Sequence, residues 1–181
     1  MLIETCLQEF LLLIYRLPMQ MLPVFAILAA LFFCSLYRKY AGKRWFRPGI
    51  GGLLAVWFAA VLWSTIFSRE PGTYESCWIP LHAYWLVLSG ACTEMYRSCL
   101  MNVALFYPAG LLLAGLLPQR IRYRHRMLCT VICFALFSLS IELSQHFLQL
   151  GTSEIDDVLH NTLGAVTGVT AFHLALGEPP Q

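Results

Sequence analysis

Residues 129–168 read "CTVICFALFSLSIELSQHFLQLGTSEIDDVLHNTLGAVTG". Apolar runs flank a centre that carries Glu142, Glu154, Asp156, Asp157, two histidines and an asparagine. The flanks are continuous rather than alternating, so neither a strand period nor a soluble helix period describes them. Runs of this kind use the bilayer as solvent. A carboxylate within hydrocarbon costs at least about 2.5 kcal/mol, so the acids at the centre must face protein or a cavity.

Working outward, the rest of the chain fits the same solvent. Of its 181 residues, 59% are hydrophobic and 12% charged, against roughly 25% charged in an average soluble domain. Runs near 20–37, 49–67, 98–117, 127–150 and 157–176 each reach the roughly 20 residues that cross a bilayer as a helix. The expected fold is all-α: one polytopic membrane domain over 1–181 with about five transmembrane helices. Ahead of them, "LIETCLQEFLLLIY" sets Glu4, Thr5, Gln8 and Glu9 against Leu7, Phe10, Leu11 and Ile14, the pattern of an interfacial helix. No basic region opens the chain, so no cleaved signal peptide is expected.

Charge sets the expected orientation. Loop 38–47 holds five basic residues and loop 118–126 holds four, and neither has an acid. By the positive-inside rule both are cytoplasmic, which puts the N-terminus outside and the C-terminus inside. The long connection 68–97 is then external. Within it "WIPLHAYWLVLSG" is half the length of a span and reads as an outer-leaflet half-helix with Trp78, Tyr84 and Trp85 at head-group depth. Its two cysteines, Cys77 and Cys92, leave a disulfide open, since spacing alone cannot decide one. Cys34, Cys99, Cys129 and Cys133 read as small packing residues.

Helical periodicity sorts the acids into stripes. Ser138, Glu142, Gln145, His146 and Gln149 recur at spacings of three and four on the fourth span. Asp157, Asn161, Gly164 and Gly168 do so on the fifth, with Asp156 and His160 adjoining. Glu142 lies fifteen residues past Met127, about 22 Å along an outward-running helix at roughly 1.5 Å per residue. The two stripes are therefore expected to meet near the outer leaflet, with Glu142 and Asn161 facing each other. Glue between helices would account for one such residue, with Glu142 bonded to Asn102 or Asn161. Two opposed stripes point to a polar pocket. Gly164 and Gly168 fit close helix packing.

Three blocks, "NVALFYPAG" (102–110), "IELSQ" (141–145) and "GTSEIDDVLHNTLGAVTG" (151–168), resemble in order and spacing the motifs of the VanZ-like family of bacterial membrane proteins. The likeness runs over roughly residues 65–175. The resemblance puts the family signature on Asn102, Pro108, Gly110, Glu142, Gln145, Asp157, Asn161, Gly164 and Gly168. It implies a bacterial cell membrane and an association with resistance to the glycopeptide antibiotic teicoplanin. Many members carry an arginine just before the acidic cluster, where this chain has "LGTSE". Arg97 or Arg69 would have to supply that charge to an anion.

Three functions fit these residues. The first is a binding protein without catalysis, its pocket of Asn102, Glu142, Gln145, His146, Asp156, Asp157, His160 and Asn161 taking a lipid head group or the lipoglycopeptide. The second is an envelope-lipid enzyme using Glu142 with His146, or Asp157 with His160, as acid and base. The third is a transporter or proton relay, for which five spans without an internal repeat fit poorly. Glu142–His146 and Asp156–His160 have spacing that could hold a metal, yet too few further ligands lie nearby. Neither metal, cofactor nor nucleic acid is expected.

Overall fold

A computed structural model describes residues 21–90, 94–118 and 120–177. The expected interfacial helix at the N-terminus lies outside the described residues, as does Cys92. Six helices follow in order: α1 (Leu22–Tyr40), α2 (Phe46–Leu62), α3 (His82–Leu88), α4 (Glu94–Leu116), α5 (Tyr123–Leu148) and α6 (Ile155–Leu176). A π-helical turn, Trp63–Phe67, prolongs α2. The fold is all-α apart from two short strands, β1 (Ser76–Cys77) and β2 (Ser153–Glu154), which pair in parallel.

Four of the helices, α1, α2 with its π-turn, α4 and α5, are long and apolar enough to cross a membrane. The fifth expected span, α6, has 22 residues, the length of a crossing, but carries Asp156 and Asp157 in its first turn. Its surroundings explain the composition. It packs along α4 most extensively, along α5 next, and against α1, so it meets protein on several sides. Exposed apolar residues are most frequent on α1 and α5, among them Leu28, Leu31, Phe32, Val131, Ile132 and Leu136, with Leu53 and Val56 on α2.

Local sequence explains the helix ends. Pro23 opens α1, where its missing N–H costs nothing, and Arg38 and Lys39 close it against the negative end of the dipole. At the end of α5, Gln149 adopts a left-handed conformation (φ 52°), and the Leu150 amide returns to the Gln145 carbonyl at 3.0 Å. Arg126, one of the nine basic loop residues, is buried. Its guanidinium donates to the carbonyls of Ala114 (2.7 Å), Pro118 (2.9 Å) and Ile121 (3.0 Å), which closes α4 and its turn. That arginine is therefore a structural cap rather than a free cation.

Glycine makes the central crossing. A Cβ built on Gly110 would overlap the Ala165 carbonyl, one on Gly164 the Val103 carbonyl, and one on Gly168 the Tyr107 carbonyl. The α4 and α6 backbones are thus in contact, as close packing of small residues predicts. Pro108 sits inside α4 between these contacts, where it offers no N–H to the preceding turn. Around the crossing, one apolar cluster joins Tyr37, Phe46, Ile50 and Phe172, and a second joins Leu54, Phe106, Phe134 and Ile141. Trp57 stands edge-on to Phe106 at 4.8 Å between ring centres.

Candidate functional site

The connection after α2 does not stay in solvent. It folds back over the link between α5 and α6. The Gly72 amide donates to the Gln149 carbonyl at 2.8 Å, and the Tyr74 amide to Gln149 Oε1 at 3.3 Å. Ser76 Oγ and His146 Nδ1 are 2.9 Å apart. Next, β1 pairs with β2 in the register Ser76–Ser153 and Cys77–Glu154. Cys77 is a free thiol.

The half-helix read from residues 78–88 is shorter in the structure. It begins at His82, because Pro80 and a left-handed Leu81 (φ 64°) interrupt the chain before it. Asp156 starts it. Its carboxylate accepts from the Leu81 amide at 2.5 Å and from the Ala83 amide at 2.8 Å. A negative group at a helix N-terminus satisfies donors that have no partner within the helix. One turn further along α6, His160 Nε2 meets the Tyr84 hydroxyl at 2.8 Å. His146, Gln149, Asp156 and His160 thus form an upper tier that fastens the loop. Beside it, burial and the Asp156 carboxylate push the Glu154 carboxyl above its usual range, opposed by His82.

A lower tier lies beneath. Glu142 is 2% exposed, and its Oε2 accepts from the Glu154 amide at 2.9 Å. Ser153 Oγ donates to the Glu142 carbonyl at 2.9 Å. Asp157 Oδ1 accepts from Asn102 Nδ2 at 2.6 Å, which ties α6 to α4. Asn161 Nδ2 donates to Ser138 Oγ at 2.8 Å, which ties α6 to α5. Asn161 Oδ1 is buried with no hydrogen-bond partner. Gln145 Nε2 donates to the Thr65 carbonyl at 3.1 Å, in the π-turn of α2. The stripes therefore meet as expected, but through different pairs. Glu142 turns to backbone, and Asn161 takes Ser138 in its place.

Arg69 joins this tier from the end of α2. Its Nη1 donates to the Leu150 carbonyl at 3.3 Å, and the guanidinium acts electrostatically on both Glu142 and Asp157. It occupies the space a Cβ would need at Gly151, whose φ of 149° also disfavours any side chain. Arg97 lies half-buried on α4. Arg69 is thus placed beside the lower tier through the Leu150 carbonyl.

The side-chain hydrogen bonds described for Glu142, His146, Asp157 and His160 run to groups outside the pairs Glu142–His146 and Asp157–His160. Glu142 and Asp156 spend their oxygens on backbone amides, while His146 and His160 face Ser76 and Tyr84. Among the described residues no group of three His, Cys, Asp or Glu side chains is placed to hold a metal ion. Ser76 and Ser153 are not among the candidate site residues read from the sequence, and Tyr84 enters that reading only as an aromatic at head-group depth. Their signals, a serine or tyrosine in a polar or aromatic stretch, do not separate them from any loop residue. Ser138 belonged to the stripe on α5.

The role of the Glu142 acceptor can be tested directly. Glu142→Gln keeps a carbonyl for the Glu154 amide, so folding should persist. Glu142→Leu strands that amide at about 1–3 kcal/mol and should lower the melting temperature of the purified protein by several degrees. Equal melting of the two variants would mean that the bond contributes nothing.

The comparisons with known proteins cover this same stretch. The VanZ/LLP1 family profile matches residues 50–176, from within α2 to the end of α6, and so includes every residue of both tiers. Protein VanZ of Enterococcus faecium is 27% identical over 126 residues, which is 68% of this chain and 73% of that protein. No solved structure matches the chain. With residues 50–176 matched, most of the chain, this membrane protein belongs to the VanZ/LLP1 family.

Proposed function

We propose that the protein raises tolerance to teicoplanin by binding an acyl-bearing ligand, the lipoglycopeptide or a lipid head group, at its outer end. The observation that carries this reading is the pairing of two surfaces on one short element. Helix α3 covers the polar tiers, and its Leu81, Trp85 and Leu88 remain 57%, 65% and 87% exposed. Trp85 and Leu88, one turn apart on α3, share an apolar face, and Leu81 lies at the start of the helix. An acyl chain would lie along it, with polar groups of the head directed toward Arg69, Asp157 and Asn161. A buried CH₂ is worth about 0.8 kcal/mol, so the tail would dominate residence there.

In a sensitive Gram-positive host, expression should raise tolerance to teicoplanin more than to vancomycin, which lacks the acyl chain. Asp157→Asn and Asn161→Ala should each remove the effect at unchanged protein level. Equal protection against both drugs would exclude recognition of the tail.

The reading also needs α3 outside the cell, the N-terminus out and the C-terminus in. The basic loops support this orientation. In a cysteine-free background, a cysteine at Thr73 should react with a membrane-impermeant reagent on whole cells and one at Gly42 should not. The reverse pattern would put the polar tiers at the inner face.

A further inference from the structure

At the opposite end of the molecule, a groove of about 420 Å³ opens between α1 and the end of α6, lined by Leu31, Cys34, Ser35, Arg38, Lys39 and Ala175. Leu31, Ser35, Arg38 and Lys39 share one face of α1, and all four are exposed. That face changes character along its length. Val24, Leu28 and Leu31 are exposed apolar residues, then come a hydroxyl and two cations at the basic end of the helix. Arg38 is held in place rather than free to wander, since its Nη2 donates to the Ala175 carbonyl at 2.6 Å. Lys39 stands 5.2 Å from the centre of the Tyr40 ring. Among the described residues no carboxylate pairs with either cation.

We propose that this groove binds an anionic phospholipid from the leaflet that carries the basic loops. The Arg38 guanidinium and the Lys39 ammonium hold the phosphate, Ser35 donates to it, and one acyl chain runs along Leu31, Leu28 and Val24. A fixed arginine, a second cation and a hydroxyl at the rim of an apolar track match the order of charge and hydrocarbon in a phospholipid. Basic recesses between helices on the cytoplasmic side are suited to such head groups. The α1 residues of the site precede the span matched by the family profile, which its Ala175 falls within, and none of them belongs to the polar tiers.

Native mass spectrometry of the purified full-length protein, titrated with phosphatidylglycerol or phosphatidylcholine, provides the test. One phosphatidylglycerol should bind roughly tenfold or more tightly than phosphatidylcholine. The double variant Arg38→Gln/Lys39→Gln should abolish that preference, whereas Arg122→Gln/Arg124→Gln, with the same change in charge, should keep it. Arg38 also closes α6, so Ser35→Trp serves as a second variant. It fills the groove, leaves both cations in place, and should reduce binding to the level of the double variant. Equal affinity for the two lipids, an equal loss in both double variants, or full binding by Ser35→Trp would each overturn the proposal.

Discussion

Leucine at Gly164 should prevent the protein from reaching a folded state in the membrane. The atoms that a side chain would meet there belong to the backbone of α4: the carbonyl oxygen, carbonyl carbon and Cα of Val103. A flexible side chain could move aside, but a helix backbone moves only as a whole. Gly110 and Gly168 are equally enclosed, so separation at one position loosens the contact at all three. Overpacking a core costs about 1–3 kcal/mol where side chains can adjust, and more is expected where they cannot. Against net stabilities of roughly 5–15 kcal/mol, a loss above that range removes most of the folded population. Gly52→Leu is the matched control, because nothing lies within 4 Å of a Cβ at Gly52. Size-exclusion profiles and melting temperatures of the two variants should differ sharply. Identical behaviour would mean that α4 and α6 are not in backbone contact.

Alanine at Asp156 should release the connection between α2 and α4 and leave the spanning helices folded. The carboxylate satisfies two amides at the start of α3, and both would lose their acceptor. Each bond to such an acceptor contributes about 1.5–3 kcal/mol, so with two bonds lost opening of the segment should become easier by at least roughly a hundredfold. Protease cleavage within residues 70–90 should accelerate accordingly, while the main melting transition shifts little. Asparagine retains one oxygen and should fall between alanine and the native residue. The upper tier explains why the damage stays local: it holds the loop onto α5 and α6, whereas the crossing beneath it holds α6 itself. Unchanged cleavage in the alanine variant would mean that Asp156 does not anchor α3.

The order and extent of the long helices were legible in the chain, because hydropathy is summed over consecutive residues and needs no partner. Runs near 49–67 and 127–150 became helices ending at Phe67 and Leu148. The polar stripes were legible for a related reason: a period of 3.6 tells which residues share a face. Gly164 and Gly168, read as packing residues from their spacing, do lie at the closest approach of two helices.

Partner choice was not legible. A face is a local property, but what it meets depends on the rotation and depth of a neighbouring helix. Glu142 and Asn161 share a tier yet bond elsewhere, one to a backbone amide twelve residues on and the other to Ser138. The acid–histidine spacings of Glu142–His146 and Asp156–His160 suggested chemistry on one helix. The actual partners of His146, Asp156 and His160 come from the connection between α2 and α4, 70 to 76 residues away in sequence. Only the return of that loop decided that Asp156 caps α3 and that β1 pairs with β2. Likewise, nothing local distinguishes Arg126 from its basic neighbours. It becomes a cap because α4 ends where its guanidinium can reach three carbonyls, so the buried charge and the carbonyls are hydrogen-bonded together.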